Sequence, residues 1–316
     1  MKKLTGTTIA LLVAYTALAQ DEFEPPGWAY PFMDEGRGRG PDDGTLFSVP
    51  GSDLQVTQTQ IDDPFNPPNW YPDETPPMPA VVSGGRPPNV RACGQCHMLH
   101  GMGHPESSLM AGLPVNYVIQ QMRDYKSGAR VSLYRRHNSM LLSATHATDE
   151  EVRAAAEHYA QLEPVKWVTV IEADMVPETY VGQGNMRHPE PDGGMEPIGQ
   201  RIIEIPEDSH RAERRDPHSS FIAYVPPGSL EAGRELATTG AGRTIQCSIC
   251  HGADLKGLGG VPGIAGMSPI YMARSLWDIM HGARAGVSTA LMLAVVANLT
   301  DEDVINVSAY VASLDP

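Results

Sequence analysis

Two short runs in this chain have the residue types and spacing for a definite piece of chemistry: Cys93-Gly-Gln-Cys96-His97 and Cys247-Ser-Ile-Cys250-His251. Between them they use all four cysteines of the 316 residues. Two thiols about one turn apart can add to the two vinyl groups on one edge of a porphyrin. A histidine directly after the second thiol is then carried under the iron as its proximal ligand. Cys93, Cys96, Cys247 and Cys250 are therefore expected to attach two haem c groups covalently, with His97 and His251 on the irons. The competing chemistries explain less. A four-cysteine zinc site needs the pairs to meet across about 150 residues and leaves both histidines idle. A thioredoxin-type redox pair accounts for neither the duplication nor the histidines. A disulfide inside C-x-x-C closes a small loop and stabilises little.

Each motif opens a longer repeat. Met110-Ala111-Gly112 and Tyr117 follow the first, and Ile264-Ala265-Gly266 and Tyr271 follow the second. In both copies eleven residues separate the tyrosine from a Gly-Ala-Arg run, at Gly128 and Gly282. Val115, Val118, Ile119 and Met122 share one helical face, as do Met272, Ala273, Leu276 and Ile279. Gly128 and Gly282 stand where a left-handed C-cap belongs. Both copies then reach a methionine, Met140 and Met292, which lie 43 and 41 residues after the motif histidines. A second helix follows in each, announced by the capping boxes Thr148–Glu151 and Thr300–Asp303.

This tandem resembles the dihaem class I cytochromes c of the c4-like and c553-like kind, over roughly residues 89–163 and 235–316. The resemblance implies that Met140 and Met292 supply a thioether sulfur as the sixth ligand of each iron, a soft neutral donor that favours ferrous iron. His137 is the competing ligand at the first iron, with His146 more remote. The resemblance also implies a backbone carbonyl that accepts the proximal imidazole N–H. In the second copy this is Pro262; in the first, Ser108 aligns there and Pro105 is the alternative.

The implied fold is mainly α: a signal peptide (1–19), an extended Pro/Gly-rich arm (20–88), a first cytochrome c domain (89–163), a small β-containing interdomain insert (164–228) and a second cytochrome c domain (229–316). The leader is expected from Lys2 and Lys3, the apolar run Ile9–Leu18 and Ala17-Leu18-Ala19, and it makes the mature protein exported and periplasmic with no membrane span. In the arm, Phe65, Trp70 and Tyr71 point to docking on the rest of the protein. Val168–Ile171 and Arg201–Ile205 have strand composition and are expected to form a small hairpin or sheet, making the insert a strut between the domains. His100, His104, His188, His210 and His218 read as solvated.

The formal charge of −15 argues against nucleic acid and anionic lipid as partners. No Ser-His-Asp set, phosphate loop or carboxylate pair is evident, so the expected function is single-electron transfer between redox proteins: a dehydrogenase, an oxidase or a membrane electron-transfer complex. On this reading the chain is a carrier and not an enzyme. The alternatives are a dihaem peroxidase-like oxidoreductase with one labile axial site, and a cytochrome subunit of a larger dehydrogenase or oxidase.

Overall fold

The computed structural model describes residues 23–133 and 139–316, so the expected leader and His137 lie outside the described residues. Its longer helices fall into two similar series. The first runs α1 (Cys93–His97), α2 (Val115–Ser127), α3 (Ser139–His146) and α4 (Asp149–Ala160). The second runs α5 (Ser229–Thr239), α6 (Ser248–His251), α7 (Pro269–Met280), α8 (Met292–Val296) and α9 (Asp301–Ser313). Local chemistry sets their limits. Helix α2 stops at Gly128, whose φ of +79° lets its N–H turn back to the Tyr125 carbonyl. Thr148 and Thr300 close reciprocal capping boxes with Glu151 and Asp303 at the starts of α4 and α9.

Helices α5 and α9 cross at Gly233. A β-carbon there would stand 2.0 Å from the Asn306 carbonyl oxygen and 2.7 Å from Tyr310 Cβ. The close approach is what glycine permits, so Gly233→Ala is expected to cost about 1–3 kcal/mol through overpacking. A lowered thermal midpoint in circular dichroism would register it; an unchanged midpoint would mean that the crossing relaxes freely.

Between the two series lies a three-stranded sheet of β1 (Val168–Glu172), β2 (Ile203–Pro206) and β3 (Phe221–Val225), in the order β1-β3-β2. The 168–171 and 201–205 segments do share a small sheet, but not as a hairpin. Strand β3 lies between them, parallel to β1 and antiparallel to β2. Its alternation, with Phe221, Ala223 and Val225 buried, is the period-two signal that marks a strand.

The two helical series touch in a reciprocal way. The Val131 N–H donates to the Ala283 carbonyl and the Ala285 N–H to the Ala129 carbonyl, both at 2.7 Å. These residues occupy matching positions of the repeat, so the contact has approximate two-fold symmetry about Arg130 and Arg284.

Residues 23–88 form turns, short strands and short helices. Phe23, Trp28 and Tyr30 surround the buried Trp277 of α7. Val49, Val56, Ile61, Trp70 and Tyr71 form a separate small core. The Trp70 indole N–H donates to the Arg214 carbonyl of the 164–228 segment at 2.7 Å. Among the described residues no helix is long and apolar enough to cross a membrane.

Candidate functional site

The second motif opens onto a cavity of about 730 Å³. Cys247, Cys250 and His251 stand on its wall together with Met292 at the start of α8. The His251 Nδ1 lies 2.8 Å from the Pro262 carbonyl. A carbonyl can only accept, so Nδ1 carries the hydrogen and Nε2 keeps its lone pair. Burial holds this imidazole below its usual pKa and so in the neutral form, although the Pro262 carbonyl opposes the shift. A neutral ring, oriented through one nitrogen and free at the other, is the form that binds a metal.

Cys93, Cys96, His97 and Met140 line a matching cavity in the first series. The His97 Nδ1 donates to the Ser108 carbonyl at 2.8 Å. That settles the choice between Ser108 and Pro105, whose carbonyl instead accepts from Arg274 Nη2. Burial lowers the pKa of His97 as well. His146 stands exposed at the end of α3 and is not on the cavity wall.

All four thiols are free. Burial pushes Cys93 up to about 12 and Cys247 up to about 11, the opposite of the lowered pKa that a reactive dithiol needs. Among the described residues, no group of three or more His, Cys, Asp or Glu side chains is arranged to hold a bare metal ion. The residues do fit covalent haem: paired thiols, an imidazole committed at Nδ1 and a thioether face one apolar space. The second site fits in size too, within the ~300–1,000 Å³ of cofactor cavities. The first fits by its donor set; its space is about 60 Å³, and loading requires its walls to move apart.

Between the sites, matched residues exchange partners across the two-fold contact. Arg130 Nη2 donates to the Tyr271 hydroxyl at 3.1 Å, and Arg284 Nη2 donates to the Tyr117 hydroxyl at 2.7 Å. Both guanidiniums also donate to Gln121 Oε1, at 2.7 and 2.9 Å. The two arginines are each 8% exposed, and neither forms an ion pair among the described residues. Tyr117, Tyr271 and Arg284 all line the second cavity, so the first series completes the second site. Spacing revealed the Gly-Ala-Arg and tyrosine repeats but not their exchange, which depends on how the two copies pack.

The expectation of solvated histidines is corrected for three of the five. His104 and His188 are buried, and both ring nitrogens of His100 are buried without a hydrogen-bond partner. Each neighbours apolar or aromatic groups: His100 lies against Trp167, His104 near Phe221 and His188 against Tyr180. His210 and His218 are exposed.

Glu204 on β2 was not a candidate in the sequence, and it is 1% exposed. Its Oε2 accepts from Ser268 Oγ at 2.7 Å and from the Ile270 N–H at 3.3 Å, while Oε1 has no partner. Burial raises its carboxyl to about 7, against the opposing donation from Ser268. The folded protein therefore keeps a proton that the unfolded chain releases near pH ~4.3. That contribution to stability is complete below the unfolded value and is lost as pH rises to about 7. Glu204→Gln should match the parent near pH ~4 and exceed it by about 3–4 kcal/mol near pH ~8, read by urea unfolding at both values.

The cytochrome c family model matches residues 230–315. The cytochrome c-554(548) of Halomonas halodenitrificans is 35% identical over 78 residues, covering 24% of this chain and 94% of that protein. A thiosulfate dehydrogenase electron acceptor of Thiomonas intermedia is 25% identical over 230 residues, 72% of this chain and 80% of its own. Among solved structures, the thiosulfate dehydrogenase (TsdBA) of Marichromatium purpuratum in its as-isolated form aligns with 72% of this chain, at 24% identity and a TM-score of 0.48. This chain spans 37% of that one. The expectation of a carrier that is not an enzyme is corrected: a relative matched over most of both chains is named as the electron acceptor of a thiosulfate dehydrogenase, which ties the likeness to an enzyme system. The resemblance drawn from the two motifs and the repeat holds, and the 94% coverage at 35% identity settles the relationship: the chain belongs to the cytochrome c family.

Proposed function

We propose that this chain is the two-haem, electron-accepting component of a thiosulfate dehydrogenase system in the periplasm. The carrying observation is that each motif shares one cavity with a methionine: Cys93, Cys96, His97 and Met140 in one, and Cys247, Cys250, His251 and Met292 in the other. The four cysteines would hold the haems, the two histidines and two methionines would ligate the irons, and Arg284 with Tyr117 and Tyr271 would meet acidic groups at the edge of the second. Haem c supplies reversible one-electron chemistry at iron.

The chain's own residues orient and insulate. The Ser108 and Pro262 carbonyls fix the rings of His97 and His251, and the apolar walls exclude water. The reciprocal arginines and tyrosines tie the two sites directly to each other, which suits passage of an electron from one to the other. Ile245, Ile249 and Leu291, exposed on the wall of the second cavity, form an uncharged rim against which a redox protein can dry its contact. The periplasmic assignment, the domain limits 89–163 and 229–316 and the arm at 20–88 belong to the same reading.

The full chain, expressed in a host that matures c-type cytochromes, should carry two haems per chain by mass. Thiosulfate with a catalytic amount of a thiosulfate dehydrogenase should produce the sharp bands of a reduced low-spin haem, and thiosulfate alone tests whether the chain oxidises it unaided. Reduction by thiosulfate alone would make the chain itself the dehydrogenase. No reduction in either case would remove thiosulfate from the proposal.

A further inference from the structure

The two attachment motifs are covered unequally. Gln95, inside the first motif, is 4% exposed, whereas Ile249 at the matching position of the second is 58% exposed. What covers Gln95 comes from the 164–228 segment. Just past the short helix Ser209–Glu213, Arg215 donates from Nη1 to the Gln95 carbonyl at 2.5 Å. Its Nε is buried with no hydrogen-bond partner.

The loop that delivers Arg215 is locked from several sides. The Arg214 carbonyl accepts from Trp70, and Arg214 Nη1 donates to the Ser48 carbonyl at 3.1 Å. Arg211 pairs with the buried Asp216 at 2.6 Å, and Asp216 also accepts from the Tyr71 hydroxyl at 3.4 Å. Within this frame Arg215 itself has a φ of +57°, a region that costs a non-glycine residue and persists only where the surroundings impose it. A strained backbone here places a guanidinium that stays protonated even when buried.

That charge has no carboxylate partner in an ion pair among the described residues. Asp62, which it feels through space, is engaged by Arg39 through two bonds of 3.0 Å. Asp216 next to it in sequence is engaged by Arg211. In the first series its field reaches Cys96, Glu106 and His104. Among the described residues, no arginine of the 164–228 segment lines the second cavity.

We propose that Arg215 is a positioning residue for the redox equilibrium: it sets the reduction potential of the first haem above the value the motif alone would give, and so separates the two sites energetically. The inference rests on the haem reading above. When the iron at the first motif goes from ferric to ferrous it gains one electron and loses one unit of positive charge, with no bond made or broken. A fixed, half-buried cation beside the motif penalises the more positive ferric form and favours the ferrous one. The second site has its own cation in Arg284 on the cavity wall, but among the described residues no counterpart of Arg215 over its motif, where Ile249 is open to solvent.

The test is a spectroelectrochemical titration of the full-length, haem-loaded chain and two variants. Arg215→Gly removes the charge at a backbone conformation glycine takes freely, and Arg215→Lys keeps it. In Arg215→Gly one of the two one-electron steps should move to lower potential, its reduction equilibrium weakened about tenfold (about 59 mV), while the other stays. Arg215→Lys should stay close to the parent. Arg215→Gln read in the same way replaces the glycine variant if that variant does not mature. Two unmoved steps, two steps moved together, or a lysine variant moved as far as glycine would overturn the assignment. A parent chain that carries no haem would instead defeat the reading on which it rests.

Discussion

Cys247→Ala/Cys250→Ala protein should leave a cytochrome c-maturing host with one covalent haem per chain in place of two, and Cys93→Ala/Cys96→Ala should do the same for the other site. Intact mass and the visible absorbance per chain read the loss directly, as a drop of half. The expectation follows from the separation of the two thiol pairs into two cavities, each with its own histidine and methionine. Beyond the shared loss of half the haem, the two variants should differ. The second cavity is about 730 Å³ and apolar, and its wall belongs to the large core shared by both series and the insert. Leaving it empty removes the packing of Leu276, Met272 and Val311 on one side, so the Cys247/Cys250 variant should be the less stable of the two in thermal unfolding. Equal haem content in both variants and the parent would mean that the cysteines are not the attachment points.

How much of this was legible in the sequence depends on the range over which each signal acts. The motifs, the Gly128 cap and the Thr148 and Thr300 capping boxes are local, and a few neighbouring residues determine each of them. The sheet was only half legible. Val168–Ile171 and Arg201–Ile205 declared strands, but strand composition carries no information about partners. Phe221–Val225 took the place between them because it can bury Phe221, Ala223 and Val225 on one face while bonding on both edges. Pro/Gly-rich segments such as 23–88 show no periodicity, so their packing through Trp70 and Tyr71 could be read only as isolated aromatics seeking a surface, and that of Trp28 was not read at all. The buried histidines and Glu204 were missed because polar residue type predicts exposure, and only tertiary packing overrides it. The ion pairs absent from Arg130 and Arg284 were likewise invisible, because a Gly-Ala-Arg run at a helix end ordinarily faces water.

Those two arginines carry the second large expectation, and its sign should depend on the state of the protein. In the chain without haem, two guanidiniums donate to the one oxygen of Gln121 and to tyrosine hydroxyls, and among the described residues neither is in an ion pair with a carboxylate. Each draws the Tyr271 hydroxyl toward ionisation, overcoming the burial that opposes it. Removing one of two like charges held this close relieves repulsion, so Arg284→Gln should leave the haem-free chain as stable as the parent or slightly more so. In the loaded protein, acidic groups at the haem edge would face Arg284 in a buried place, and the same substitution leaves an anion without its partner. Breaking a buried pair in that way costs about 3–5 kcal/mol. Urea unfolding of the loaded and haem-free forms, parent against Arg284→Gln, should therefore give a large loss in the first and none in the second. A similar loss in both forms would mean that Arg284 serves only as a strut between the Tyr117 hydroxyl and Gln121. No loss in either would mean that the haem edge is neutralised elsewhere. Only the difference between forms reports on haem, because the hydrogen bonds to Tyr117 and Gln121 are common to both.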